Sequence, residues 1–235
     1  MPSTLVLLHG FTQTRQSWRR TVAAVRGSRR VLAPDLPGHG HAAARPASFP
    51  ACTGYVRALG GERFTLGGYS MGGRIALHAA LALGDRVERL VLVGASPGIA
   101  DAAERAARRA ADDALAARIE AIGVEAFARE WAALPMWAGQ PERVAAAAHA
   151  DRLRNTPAGL AAALRGLGTG VMEPLWDALP SLTVPVTLAV GERDEKFRAI
   201  AARMAAVLPR CEVVVIPGAG HAAQLEAPGA VAALL

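Results

Sequence analysis

Three residues far apart in the 235-residue sequence have the types and the order of a serine-based catalytic triad. Ser70 is the middle residue of the pentapeptide Gly68-Tyr-Ser-Met-Gly72, and Asp194 and then His221 follow it along the chain. A serine hydroxyl is unreactive at neutral pH unless an imidazole accepts its proton, and a carboxylate keeps that imidazole in the correct tautomer. The sequence therefore predicts an activated Ser70, with His221 as its base and Asp194 as the partner of His221.

The elements that must position these residues alternate along the chain. Short apolar runs, typical of strands buried on both faces, are separated by segments that favour helices, and this alternation predicts a parallel sheet with right-handed crossovers. Ser70, Asp194 and His221 each follow such a run, so we expect all three at the same edge of the sheet. The predicted strands are residues 4–8, 30–34, 64–69, 90–93, 186–190 and 212–216.

The order of the triad residues, together with the strand–turn–helix setting of the pentapeptide, predicts the α/β-hydrolase fold. We expect one domain over residues 1–235, with a mainly parallel sheet flanked by helices. Residues 97–180 are rich in alanine and arginine and contain no apolar strand run. Because predicted strands flank this segment on both sides, we expect it to form a helical cap over the ends of the strands.

Two backbone N–H groups are predicted to form an oxyanion hole beside Ser70. The tight turn after the serine directs the N–H of Met71 toward the position where negative charge would develop. The first predicted strand ends in His9-Gly-Phe11, and we expect Phe11 to supply the second N–H donor.

Composition argues against several other classes of function. The net charge of +6 comes almost entirely from arginine, and no basic run is interleaved with aromatic residues, so nucleic-acid binding is not predicted. Leu5–Leu8 is too short for a signal peptide or a membrane span, and two isolated cysteines form no disulfide framework, so we expect a cytoplasmic protein. The sequence predicts no metal site and no cofactor, and it leaves the number of subunits open.

Five sets of motifs, spread over almost the whole chain and including the predicted cap, point to a particular family. They are GYSMGGRIAL (68–77), SPG (96–98), ERAARR (104–109) with Asp112, LRGLGTG (164–170) with LWD (175–177), and GERDEKF (191–197). These motifs resemble those of the 2-succinyl-6-hydroxy-2,4-cyclohexadiene-1-carboxylate synthases, which are pyruvate-eliminating lyases of menaquinone biosynthesis. The matches within the predicted cap are the informative ones, because many hydrolases share the serine turn and the histidine loop.

The resemblance implies a small anionic substrate with several carboxylates and a proton alpha to a ketone. In the family the triad serine removes that proton and pyruvate leaves, so the substrate would be 2-succinyl-5-enolpyruvyl-6-hydroxy-3-cyclohexene-1-carboxylate. Arginine suits carboxylates because its planar group can donate two parallel hydrogen bonds. By position in the matching motifs, the resemblance assigns substrate binding to a set of five residues. They are Arg74, Arg108, Arg165, Tyr69 and Trp131, with Arg105 or Arg109 as possible substitutes for Arg108.

Two alternatives use the same fold. A carboxylic-ester or carbon–carbon bond hydrolase would use the triad through an acyl or gem-diol intermediate, but it has no evident need for three arginines around an apolar substrate. A non-catalytic binding protein would not need the complete set of Ser70, Asp194 and His221.

Overall fold

A single six-stranded sheet organises the protein in the computed structural model, which describes residues 3–25, 27 and 29–235. All neighbouring strands pair in parallel, as the alternation of strands and helices predicts. The predicted fold class is confirmed, and the second strand is shorter than predicted because it ends before Pro34, which has no N–H to donate. The strands are β1 Thr4–Leu8, β2 Arg30–Leu32, β3 Phe64–Tyr69, β4 Val87–Val93, β5 Val186–Gly191 and β6 Cys211–Ile216.

Helices cover both faces of the sheet and form the insertion between β4 and β5. The described helices are α1 Arg19–Val25, α2 Phe49–Gly60, α3 Met71–Leu83, α4 Ala102–Ala132, α5 Glu142–Arg152, α6 Pro157–Leu167, α7 Glu195–Ala205, α8 Ala223–Glu226 and α9 Pro228–Ala232.

The order of strands across the sheet is β2-β1-β3-β4-β5-β6. The chain leaves β1 toward β2 on one side and continues from β3 toward β6 on the other, so the order reverses between β1 and β3. Leu8 pairs with Gly68 at the carboxyl ends of these two strands. The loops that carry Phe11 and Ser70 therefore start side by side, at the point where open α/β sheets ordinarily bind their ligands.

The central strands bury side chains on both faces, which explains why they are apolar throughout rather than alternating. In β1, Val6 and Leu8 belong to the core on the face covered by α2, α3 and α7, whereas Leu5 and Leu7 belong to the core on the opposite face, with residues of α8 and α9. All four side chains are fully buried. This two-sided core gives the carboxyl edge of the sheet a rigid base on which the site is built.

The insertion between β4 and β5 consists of α4, α5 and α6, joined by turns, and contains no strand. Gly123, with φ of +78°, interrupts α4 and divides it into two helical segments. The cap has a small core of its own, in which Ile119, Phe127 and Leu160 are fully or almost fully buried. Phe11 packs against this core, so the cap rests directly on the loop that follows β1.

Candidate active site

Ser70 occupies a strained turn between β3 and α3. Its φ of +50° is rare for any residue other than glycine, and such strain is commonly found at functional sites. The turn requires glycine on both sides: a Cβ on Gly68 would lie 2.4 Å from the carbonyl oxygen of Gly72, and one on Gly72 would lie 2.2 Å from that of Leu8. The pentapeptide therefore places the Ser70 side chain above the end of the sheet, at the base of a cavity.

The structure brings the three predicted triad residues together. His221 Nδ1 lies 2.7 Å from Asp194 Oδ2, and His221 Nε2 lies 3.2 Å from Ser70 Oγ. An ionised carboxylate only accepts hydrogen bonds, so Nδ1 carries the proton and Nε2 is free to accept the hydroxyl proton of Ser70. His221 is buried, and the ring of Phe197 lies 4.5 Å from its own, which restricts its rotation.

The loop that carries His221 is fixed by an ion pair next to the triad. Glu226, on α8, accepts a hydrogen bond from the N–H of Gly220 at 2.9 Å and one from Arg193 at 2.7 Å. Arg193 also donates to the carbonyl of Ala138 in the cap. Glu226 thereby links Gly220, which precedes His221, to Arg193, which precedes Asp194. This link fixes the positions of the His221 and Asp194 side chains relative to each other.

The predicted oxyanion donors, Phe11 and Met71, both line the cavity beside Ser70. Within the described structure, neither backbone N–H donates a hydrogen bond to another protein atom. Met71 is the first residue of α3, where an unpaired N–H and the helix dipole both favour a negative charge. The pair is arranged to receive an oxygen on which negative charge develops during a reaction.

Two buried histidines support the oxyanion loop instead of taking part in the triad. His9 bonds to the carbonyl of Gly10 through Nδ1 and accepts the N–H of Leu36 at Nε2. His39 uses the same arrangement, with Nε2 accepting the N–H of Thr12 at 3.3 Å. Burial lowers the pKa of both, that of His39 to about 3, so both rings remain neutral and can accept these hydrogen bonds.

A cavity of about 720 Å³ lies between the sheet and the cap, and it contains the reactive groups of Ser70 and His221. This volume is within the usual range for small-molecule sites. The cap closes it from above with Trp131 and Leu164, and α7 forms one side wall with Lys196 and Arg203.

Arg74 lies one helical turn after Ser70 and lines the cavity, as its position in the sequence predicts. It donates one hydrogen bond to the carbonyl of Leu167 at 2.9 Å, and within the described residues it forms no ion pair. Protein surrounds the guanidinium, although the side chain keeps accessible surface in the cavity. Burial, reinforced by the nearby Arg108, lowers the pKa of Arg74 to about 10, and it stays charged at neutral pH.

Arg108 also lines the cavity, where its Nε donates to Asp112 Oδ1 at 2.8 Å. Asp112 is buried and lines the cavity as well, so the guanidinium of Arg108 is already paired with a protein carboxylate. Neither Arg105 nor Arg109 lines the cavity: Arg105 bonds to backbone carbonyls at the start of α4.

The structure does not bring Arg165 to the cavity. Both terminal nitrogens of its guanidinium bind the Glu120 carboxylate at 2.8 Å on the exposed surface between α4 and α6. The neighbouring residue Leu164 faces the cavity instead. Arg165 therefore fastens two cap helices together and has no access to a ligand bound near Ser70.

Sequence reasoning missed three other cations near the site. Arg152, at the end of α5, is only 4% exposed, and its Nε and Nη1 have no hydrogen-bond partner among the described residues. Nothing in the sequence distinguishes it from the exposed arginines around it. Lys196 and Arg203 both line the cavity, and their spacing of seven residues on one face of α7 is a signal that could have found them.

Trp131 and Tyr69 occupy different positions relative to the cavity. Trp131 lines it, packs against Phe11 with 5.4 Å between ring centroids, and has a buried Nε1 with no partner in the described structure. Tyr69 is buried behind the site, with its ring 5.3 Å from that of His221, and it does not line the cavity. Burial raises the pKa of the Tyr69 phenol, so this residue supports His221 as a neutral group.

A search of the described residues finds no group of three or more side chains placed to hold a metal ion. None of the helices in that part of the chain combines the length and the apolarity that crossing a membrane requires.

Residues 5–234 match the alpha/beta hydrolase family, and the chain therefore belongs to this family. Within it, the chain is similar to the 2-succinyl-6-hydroxy-2,4-cyclohexadiene-1-carboxylate synthase of Klebsiella pneumoniae, at 34% identity over 98% of this chain and 91% of the relative. The structure of MenH from S. aureus matches with a TM-score of 0.93 at 32% identity, over 100% of this chain and 92% of that chain. A thermophilic esterase from Thermogutta terrifontis, solved with malate bound, matches with a TM-score of 0.83 at 28% identity, over 99% of this chain and 87% of that chain. The resemblance to the synthases and the fold predicted from the sequence are both confirmed.

Proposed function

We propose that this protein is a lyase that eliminates pyruvate from 2-succinyl-5-enolpyruvyl-6-hydroxy-3-cyclohexene-1-carboxylate and releases 2-succinyl-6-hydroxy-2,4-cyclohexadiene-1-carboxylate. The observation that carries the proposal is the position of Arg74. Arg74 forms no ion pair within the described residues, and it lines the same cavity as the hydroxyl of Ser70. Burying an unpaired charge is costly, and a carboxylate of the substrate would compensate it.

The triad geometry accounts for the proton transfers of this reaction. His221 Nε2 takes the hydroxyl proton of Ser70, and the serine oxygen takes the substrate proton alpha to the ketone. The electrons of the broken C–H bond move onto the ketone oxygen, and the N–H groups of Phe11 and Met71 stabilise the resulting enolate. The enolate then re-forms the ketone, and its electrons pass through the ring double bond and break the bond to the enolpyruvyl oxygen. The leaving group takes the proton from His221 and becomes pyruvate.

The cations around the cavity have separate tasks in this reaction. Arg74 lies close to Ser70 along α3 and binds the carboxylate nearest the reacting carbon. Arg108 is held by Asp112 and contributes a weaker field, because part of its charge is already neutralised. Arg203 stands at the exposed end of the wall, where its guanidinium stacks 4.4 Å from the ring centroid of Trp176 and attracts an anionic substrate from solution.

The substrate of this reaction is a small polycarboxylate, and no macromolecular partner is needed. We propose a cytoplasmic location, which is supported by the unpaired thiols of Cys52 and Cys211.

An ester hydrolase is the second candidate, because the likeness to the Thermogutta terrifontis esterase covers almost the whole chain. The same triad would attack an ester carbonyl through Ser70 Oγ, and the same two N–H groups would hold the tetrahedral intermediate. The two candidates differ in the use of the arginines, since a neutral ester has no group for Arg74 to bind.

The purified protein should be assayed with the enolpyruvyl cyclohexene substrate, generated in place by the preceding enzyme, and separately with p-nitrophenyl acetate. We expect rapid pyruvate release and poor ester cleavage, with Ser70→Ala lowering kcat by about 10⁴-fold. Ser96→Ala is the matched control, because Ser96 also lines the cavity but forms no bond with the triad. Rapid ester cleavage without pyruvate release would leave the triad in place and refute the lyase.

A further inference from the structure

The loop that supplies the Phe11 N–H has a strained backbone, and residues from other parts of the protein hold it in place. Gly10 to Gln13 form a turn closed by a hydrogen bond from the N–H of Gln13 to the carbonyl of Gly10 at 3.2 Å. The third residue of the turn, Thr12, has φ of +68°. Glycine ordinarily fills such a position, and a β-branched residue there costs about 1–2 kcal/mol.

Both backbone groups of Thr12 are bound, and the two partners come from different parts of the protein. The N–H donates to Nε2 of His39, which belongs to the loop after β2. The carbonyl accepts a hydrogen bond from Asn155 Nδ2 at 2.8 Å, and Asn155 belongs to the cap, between α5 and α6. The strained conformation is therefore stabilised jointly by the sheet domain and by the cap.

Asn155 is buried, and its amide is fully used. Nδ2 also donates to the carbonyl of Arg152 at 3.0 Å, and Oδ1 accepts the N–H of Gly40 at 3.1 Å. Because the N–H of Gly40 requires an acceptor, the orientation of the amide is fixed and Nδ2 must face Thr12. One side chain thus connects the cap with two loops at the carboxyl edge of the sheet.

A second cap residue holds the other end of the same loop. Asp151 accepts hydrogen bonds from the N–H of Thr14 at 2.9 Å and from its hydroxyl at 2.5 Å. In addition, Trp131 of the cap packs edge-on against the ring of Phe11. The cap therefore contacts this loop at Phe11, Thr12 and Thr14.

We propose that Asn155 is a positioning residue for the oxyanion hole: by binding the Thr12 carbonyl from the cap, it keeps the Phe11 N–H directed into the cavity. The inference rests on the proposed role of Phe11 as an oxyanion donor. Without Asn155 the turn can relax away from positive φ at Thr12, and Phe11 shifts with it. The cap is then part of the catalytic apparatus as well as a cover for the substrate.

The test compares Asn155→Ala with Thr156→Ala, in the full-length protein. Thr156 is the adjacent residue, and its hydroxyl caps α6 by accepting the N–H of Gly159 at 3.1 Å. Its loss destabilises the same part of the cap by about 1 kcal/mol without touching the oxyanion loop. Thermal unfolding of each variant separates loss of stability from loss of function. Asn155→Asp is a second, nearly isosteric variant, in which a carboxylate replaces the donor to Thr12.

We expect Asn155→Ala and Asn155→Asp to lower kcat by about 10- to 100-fold, with KM within about twofold of wild type, because a displaced donor loses part of the 10²–10³-fold effect of a deleted one. Thr156→Ala should retain wild-type kcat. Equal kcat for the Asn155 and Thr156 variants at matched stability would make Asn155 purely structural and overturn the proposal. The measurement uses pyruvate release or p-nitrophenyl acetate cleavage, whichever the wild type catalyses, since both develop an oxyanion. If the protein proves to be an esterase, the lyase proposal is refuted, but the role of Asn155 can still be tested with the ester substrate.

Discussion

Replacing Arg74 by methionine should separate the stability of this protein from its activity. The substitution keeps most of the length of the side chain and removes the charge that faces the cavity. Arg74 has no ion-pair partner among the described residues, and its one hydrogen bond goes to the carbonyl of Leu167. In the absence of substrate, the charge is therefore a cost to the folded state.

The magnitude follows from the pKa of Arg74, which burial lowers from 12.5 to about 10. The unfolded chain binds the Arg74 proton more tightly than the folded protein does. The charged form therefore destabilises the folded state at neutral pH, by about 3 kcal/mol. Losing the hydrogen bond to Leu167 costs about 2 kcal/mol in the opposite direction. The net gain in the free energy of unfolding is about 1 kcal/mol, which raises Tm by about 2–4 °C in a chain of this size.

The effect on activity should be much larger and of opposite sign. If Arg74 pairs with a buried substrate carboxylate, its loss weakens transition-state binding by about 2–5 kcal/mol. This corresponds to a decrease in kcat/KM for pyruvate release of about 30- to 4,000-fold. Thermal unfolding without substrate and a continuous assay of pyruvate release measure the two quantities on the same preparation.

Arg165→Met is the matched control, because it makes the same chemical change at an arginine bound to Glu120 on the surface. We expect its kcat/KM to equal that of the wild type. Wild-type kcat/KM for Arg74→Met would refute the assignment of Arg74 to a substrate carboxylate. A loss of several degrees in Tm would show that the charge is compensated in the free protein.

Three further predictions concern the triad, the buried histidines and the rim of the cavity. Asp194→Asn should lower kcat by about 10³–10⁴-fold, because an amide donor beside Nδ1 favours the wrong tautomer of His221. The control Glu192→Gln, at a neighbouring exposed acid, should leave kcat unchanged. A loss of only a few-fold in Asp194→Asn would mean that another acid is the partner of His221. The unfolded chain protonates His39 at the ordinary pKa of 6.5 and the folded protein only near 3, so stability falls as pH drops below 6.5, by about 2 kcal/mol from this group between pH 7.5 and 5. Denaturant unfolding of His39→Gln at the two pH values should show a smaller decrease than the wild type, and an equal decrease would contradict the argument. Arg203→Ala should raise KM about 3- to 10-fold with unchanged kcat and should reduce the salt dependence of kcat/KM. A salt dependence of kcat/KM equal to that of the wild type would show that Arg203 does not attract the substrate from solution.

Much of the candidate site was predictable from the sequence, because its geometry depends on the local chemistry of turns and on chain order. The tight turn at Ser70 needs small neighbours at fixed positions, so Gly68 and Gly72 mark it in the sequence. Asp194 and His221 follow late strands, and in a parallel sheet all such residues reach the same edge. Phe11 was predictable for the same reason, since it follows the strand that pairs with β3.

The cap residues were less predictable because their positions depend on the rotation of each helix about its own axis. A motif match could not show that Arg165 points outward to Glu120 while Leu164, one residue earlier, faces the cavity. For the same reason the sequence did not distinguish Arg152, whose burial follows only from the way α5 packs against the rest of the protein.

The sequence by itself therefore determined the fold class, and it was enough to predict the three candidate triad residues and the two candidate oxyanion donors, because these depend on chain order and on the local chemistry of turns. Only the tertiary structure decided that Arg165 stays outside the cavity and that Asn155 of the cap binds the Thr12 carbonyl at 2.8 Å. Asn155 and Thr12 are 143 positions apart in the sequence, and both results depend on how the cap helices pack against each other and against the edge of the sheet.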